Sequence, residues 1–199
     1  MSDRDTQLRA GLSRAGIGPP ETDAALDLDA ILQRWRRRVM KRELGHRALA
    51  DLGLDLDMAQ LDALMAIWAP ANEFGDAPDG ETMVGTVASR LGIDPSRASR
   101  ITADLIRLGL VRRTPSQQDA RRAILELTAE GARIVQTVRH YKFLILGNFL
   151  KGWTTEEIAT FIPLLERFSA WSEAPDDPTG RIATEIAALR EKLKRRRAE

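Results

Sequence analysis

The sequence predicts a mainly α-helical fold with one small β-hairpin, and three observations carry that expectation. Apolar residues recur at spacings of three to five over most of the chain, the period of helices with one buried face. Two short helical stretches meet around Gly92 across three residues, with capping signals on both sides. Two short β-rich runs, 110–114 and 123–127, follow them directly, separated by the polar, turn-rich PSQQDARR. Helix, turn, helix, hairpin is the order of a winged helix-turn-helix, here flanked by N- and C-terminal helices.

Taken in order, residues 1–22 are polar and broken by glycine and proline, so they are expected to form a disordered arm. Residues 23–50 carry Leu26, Ala30, Ile31, Trp35, Val39 and Leu44 at helical spacing, with arginines between them, and predict one amphipathic helix. Asp57 can cap a second helix bearing Leu61, Leu64, Met65 and Trp68, and PANEFGDAPDG (70–80) reads as a loop. The helix at 82–91 ends at Gly92. Asp94 and Pro95 then supply an N-cap and a first-turn proline for a helix over 95–108, with Ala98, Ile101, Leu105 and Leu108 facing inward. The hairpin puts a charged tip at 114–122. Thr128 caps a long helix, and Thr154–Glu157 is a capping box opening another, which Pro163 should kink or interrupt. A last, basic helix is expected within 179–199. The domain plan is therefore a helix at 23–50, a winged module at 51–127, two helices within 128–173, and the extra helix.

Composition narrows the function. The chain has 199 residues, long enough for a real core, and no cysteine, which excludes disulfides, zinc–thiolate sites, iron–sulfur clusters and thiol redox sensing. His46 and His140 stand alone, so no metal is assigned, and no cofactor motif is present. No apolar run reaches the roughly 20 residues of a bilayer span, and the first residues lack the apolar core of a secretory signal; a cytoplasmic, non-membrane protein is expected. No nucleophile elbow, phosphate-cradling glycine loop or catalytic histidine set appears, so an enzyme is not expected. The net charge of +1 hides segregation: 34–47 holds seven basic residues against Glu43, and 90–122 holds eight arginines against three aspartates. Local field rather than net charge decides what a surface attracts, so a basic face is available.

Residues from about 26 to 171 resemble the MarR (multiple antibiotic resistance regulator) family of winged-helix transcription factors. The resemblance rests on VGTVASRLGIDPSRASRITADLIRLGLV, on Asp119 and Arg121 at the positions of an Asp-x-Arg wing motif, and on Leu127, Thr128 and Gly131 as Leu-Thr-x-x-Gly. The order of flanking helices also matches. Three features depart from the pattern: a longer 70–80 loop, Leu108 where a basic residue is common, and Pro163. The first 25 residues and the helix after Pro178 lie outside it. The resemblance implies a homodimer, with the helices of 23–50 and 128–173 pairing across a two-fold axis and two recognition helices reading a pseudo-palindromic DNA operator. It also implies a small aromatic or anionic effector that releases DNA, for which Trp35, His46, Met65 and Trp68 are the candidate lining, although tryptophan and methionine at helical spacing are more often core.

A helix in the major groove reaches base edges with the outward residues of its first turns. In the helix at 95–108 these are Ser96, Arg97, Ser99 and Arg100, with the two arginines expected to read bases. Arg112 and Arg113 alternate on a strand, so only one can face DNA; Arg113 is taken. At the wing, the resemblance gives Asp119 a bracing salt bridge and sends an arginine into the minor groove, Arg121 by the motif, with Arg122 as substitute or phosphate contact. The expected function is a ligand-responsive homodimeric repressor of transcription. The alternative is a winged-helix protein–protein assembly module without sequence-specific DNA binding.

Overall fold

The computed structural model describes residues 3–68, 81–119, 121–173 and 179–198. The expected 70–80 loop and residue 120 lie outside them. The chain divides into two compact units: a winged unit, 42–152, and a helical unit, 1–41 with 153–199.

The winged unit contains α3 (Glu43–Asp51), α4 (Met58–Trp68), α5 (Val84–Leu91), α6 (Pro95–Arg107), β1 (Val111–Pro115), β2 (Ala123–Leu127) and α7 (Ala129–Leu150). Its core packs Leu64, Val87, Leu105, Val111 and Val135, all essentially inaccessible to water. Small residues bring the helices close: Ala63 and Ala66 on α4, Ala88 on α5 and Ala98 on α6 are all buried in the same cluster. The strands pair antiparallel with Val111 opposite Leu127 and Arg113 opposite Leu125. Leu125 N–H also donates to the Thr82 carbonyl at 2.7 Å, tying the chain before α5 to the hairpin.

Local chemistry explains the boundaries. Asp57 and Gln60 cap α4 reciprocally, at 2.7 and 3.0 Å. Gly92, at φ +61°, ends α5 in the left-handed conformation that L side chains rarely adopt, and Ile93 N–H closes on the Ala88 carbonyl. Thr128 accepts from Gly131 N–H at 3.1 Å and donates to the Gly109 carbonyl at 2.8 Å, so one hydroxyl caps α7 and locks it to the turn after α6.

The helical unit contains α1 (Asp3–Arg14), α2 (Pro19–Met40), α8 (Thr155–Glu173) and α9 (Gly180–Ala198). Arg9 reaches Asp23 at 2.5 Å between α1 and α2, and Arg14 forks onto Glu185 of α9 at 2.5 and 3.1 Å. Thr154 and Glu157 form the expected capping box of α8. Among the described residues of this unit only Thr22 is buried, while Trp35, Phe161, Leu165, Trp171 and Leu189 are exposed.

Several expectations are corrected. Within the segment expected to be a disordered arm, residues 3–14 form α1 and α2 begins at Pro19, because docking on α2 and α9 supplies stabilisation that the polar sequence does not advertise. The helix expected over 23–50 is two helices. Arg42 takes φ +51°, a conformation that costs an L residue roughly 1–2 kcal/mol, and its guanidinium pairs with Asp62 of α4. The boundaries at 51–127 and 128–173 also shift, since α3 and α7 join the winged unit and α8 does not. Of the kink or interruption expected at Pro163, the interruption does not occur: α8 continues from Thr155 to Glu173. Leu108, expected to face inward, is 44% exposed just past the end of α6, and Thr102 takes a fully buried place, its hydroxyl donating to the Ala98 carbonyl at 2.9 Å.

Candidate nucleic-acid interface

The first turns of α6 are held by Asp94, whose carboxylate accepts from Ser96 N–H at 2.7 Å. Hydrogen bonding to Ser96 holds this carboxyl below its usual range, with the nearby Arg100 charge a smaller contribution. Burial of Ala98, Thr102 and Leu105 turns the opposite side outward, and Ser96, Arg97, Ser99 and Arg100 are all exposed there. Arg97 and Arg100, three residues apart, share a face.

The wing is a tight, internally bonded turn. Ser116 is buried at its base; its hydroxyl donates to Glu81 at 2.5 Å and accepts from the Gln118 and Asp119 N–H groups at 3.0 Å. Gln117 N–H donates to the second Glu81 oxygen at 2.8 Å. These bonds, the Ser116 hydroxyl foremost, pull the Glu81 carboxyl below its usual range. Asp119 accepts from Arg121 N–H at 3.0 Å, and its side chain lies 3.5 Å from Arg122. The Asp119 ion pair is thus with Arg122, which leaves the exposed Arg121 guanidinium clear of it.

The arginines of this unit fall into two sets. Arg42 pairs with Asp62, Arg47 with Asp51, Arg107 with Asp104, Arg112 with Glu126, Arg122 with Asp119 and Arg133 with Glu130. Arg90 donates to the Ala66 carbonyl at 2.6 Å and to Thr82 at 3.0 Å, and Arg139 lies 5.2 Å over the Trp68 ring. Arg97, Arg100, Arg113 and Arg121 form no salt bridge among the described residues, Arg100 only adding its charge at longer range to Asp94. Such uncompensated guanidinium groups on a helix start and a hairpin suit polyanion contact.

Sequence reasoning missed Glu81 and Ser116, which build the wing; Ser116 N–H also donates to the Arg122 carbonyl at 2.9 Å. A serine two and three residues before the N–H groups it accepts is a turn signal that could have revealed Ser116; Glu81 is distant in sequence and carries no such signal. It also counted Arg90 among surface cations, whereas Arg90 joins α5 to α4.

The four candidate effector residues fall on three helices, α2, α3 and α4. Met65 and Trp68 pack against the core from α4, whereas His46 is exposed on α3. Trp35 is 63% exposed on α2 of the helical unit. Among the described residues no group of histidines and carboxylates could hold a metal ion, and no helix is long and apolar enough to cross a membrane.

The fold is a winged helix-turn-helix with flanking helices, as expected. Residues 72–122 match the model of the MarR family. Solved structures of similar fold include a MarR family protein from Bacillus stearothermophilus, at 20% identity over 76% of this chain and 96% of that one, with a TM-score of 0.61. A transcriptional regulator from Thermotoga maritima is similar at 20% identity over 77% and 99%, TM-score 0.54. MepR of S. aureus, solved bound to ethidium bromide, is similar at 19% over 69% and 94%, TM-score 0.51. No curated protein matches the chain. The matched segment holds Arg97, Arg100 and Asp119, and the fold around it is similar to that of these solved structures.

Proposed function

We propose that this protein is a homodimeric, sequence-specific DNA-binding regulator of transcription, a repressor released by a small aromatic or anionic molecule. The observation that carries the reading is the division of the winged unit's arginines: among the described residues, those engaged with neither a carboxylate, a carbonyl nor an aromatic ring lie on α6 and the hairpin, the two elements a winged helix offers to a duplex. Arg97 and Arg100, with Ser96 and Ser99, read the major groove, where a bidentate arginine–guanine contact gives ~1–3 kcal/mol of discrimination. Arg121 enters the minor groove, whose narrow stretches attract guanidinium groups, while Arg113 and Arg122 contact phosphate and Asp119 braces the tip. No side chain is assigned a catalytic role, and the site of action is the cytoplasm.

A dimer is supported by the lack of buried apolar residues among the described residues of the helical unit and by Phe143, Leu144 and Phe149, exposed on the distal half of α7. Covering such side chains contributes about 1.5–3 kcal/mol each. The effector reading is supported by Arg139 over Trp68, which sets a cation beside an aromatic face, and by ethidium in the similar fold of MepR.

Fluorescence anisotropy with the DNA upstream of the protein's own gene, at two salt concentrations and with unrelated duplex as competitor, tests the proposal. Competitor-resistant binding that weakens with salt and is lost in Arg97→Ala and Arg100→Ala is expected. Equal affinity for unrelated duplex would reject sequence-specific reading at that DNA, and no binding at low salt would favour the assembly module. Thermal shift with aromatic acids tests the effector, since a ligand of the folded state raises Tm.

A further inference from the structure

α9 lies outside the matched family segment, and its charge is arranged in two halves. Residues 190–197 hold six basic residues, Arg190, Lys192, Lys194, Arg195, Arg196 and Arg197, against Glu191 alone. Arg190, Lys192, Lys194 and Arg195 are exposed, and Glu191 is already taken by Lys194 at 2.8 Å. The acid of the first half, Glu185, is held by Arg14 of α1, so it is not free to neutralise the basic end. Ile182, Ile186 and Leu189 line, with Leu8 and Leu12 of α1, a shared apolar hollow of about 420 Å³. α1 thus engages the apolar side and the carboxylate of α9; of its cations, Lys192 borders the hollow, and Arg190, Lys194 and Arg195 do not line it.

We propose that the distal half of α9 is a second, sequence-independent DNA contact that binds the phosphate backbone. At 100° per residue, Arg190, Lys192, Lys194 and Arg195 spread around the helix rather than along one side. A helix lying on a lipid surface needs an apolar face opposite its cations; from 190 to 197 only Leu193 is apolar, so this end is built for a polyanion instead. Tethering to the same chain gives these cations a high effective concentration at a duplex held by α6 and the wing. The inference rests on the DNA-binding reading above and assigns α1 a part in it, as the anchor of α9.

The test is the dependence of affinity on salt for a random-sequence 40-bp duplex, comparing the full-length parent with a variant carrying Lys192→Gln, Lys194→Gln, Arg195→Gln, Arg196→Gln and Arg197→Gln. Each lost phosphate contact lowers the slope of log K against log salt by about 0.9. The expected result is a slope shallower by about 3 or more, unchanged helicity by circular dichroism, and a parental slope in a variant with Lys192→Arg and Lys194→Arg. An unchanged slope in the Gln variant, with the parent still binding, overturns the α9 contact and leaves the winged-helix reading standing. If the parent binds neither this duplex nor its upstream DNA at low salt, both readings fall. Co-sedimentation of the parent with phosphatidylserine vesicles, lost in the Gln variant while the DNA slope stays parental, would overturn the proposal in favour of a membrane surface.

Discussion

Gly131 shows how much one residue can carry. A Cβ at this position would stand 2.1 Å from the Leu110 carbonyl oxygen, which already accepts from Thr128 N–H at 3.0 Å and cannot withdraw without breaking that bond. Gly131→Ala is expected to destabilise the protein by about 1–3 kcal/mol, the range of overpacked sites. Gly85→Ala on α5, where a Cβ would meet nothing within 4 Å, should instead stabilise by about 0.4–1 kcal/mol. Thermal melts of the two variants, moving in opposite directions, check the pair. Glu81 is a second such residue. Its carboxyl is held below its ordinary value of 4.5, so its bonds to Ser116 and Gln117 favour the folded wing fully above that value and are lost as pH falls through the lower folded value. The Gln117 amide NMR signal should therefore titrate with an apparent pKa below 4.5, and Glu81→Gln should abolish that titration. Residues of the motifs (Asp94, Thr128, Gly131) were legible in the sequence because their partners lie within a few positions or in a recurrent turn. Glu81 was not, because Ser116 is 35 residues away.

At the scale of elements, α6 depends on its cap. Asp94→Ala removes the acceptor for Ser96 N–H and should cost about 0.5–2 kcal/mol, with Asp94→Asn retaining most of the stability. Because Ser96, Arg97, Ser99 and Arg100 sit on the turns this cap orders, the Ala variant should also weaken upstream-DNA binding, measured by the same anisotropy assay. The wing makes the complementary test. Arg121→Ala should lower DNA affinity and leave Tm within about 0.5 kcal/mol equivalent of the parent, as exposed changes away from packed features do. Binding as tight as the parent's would remove the minor-groove role. Periodicity placed α4 to α7 and the hairpin well, since caps and glycines mark their ends. It joined α2 and α3 because nothing in Lys41-Arg42-Glu43 signals a break; the break follows from Arg42 adopting a left-handed backbone and pairing with Asp62, a contact between elements.

At the scale of the whole molecule, exposed apolar residues on α2, α7 and α8 predict self-association. Trp35→Glu combined with Leu144→Glu should shift sedimentation from dimer to monomer at micromolar concentration, whereas Arg97→Ala should leave it unchanged. A monomeric parent would refute the dimer. The sequence by itself determined the winged helix-turn-helix order, the capped starts of α6 and α7, and the exposed arginines of α6, because period, capping and turn chemistry act over a few residues. Tertiary structure decided the pairings of Arg42 with Asp62 and Arg112 with Glu126, since those carboxylates are brought close only by packing and strand pairing. It likewise decided that the polar first residues form a helix, because α1 gains its stability from α2 and α9, the latter over 160 residues away in sequence.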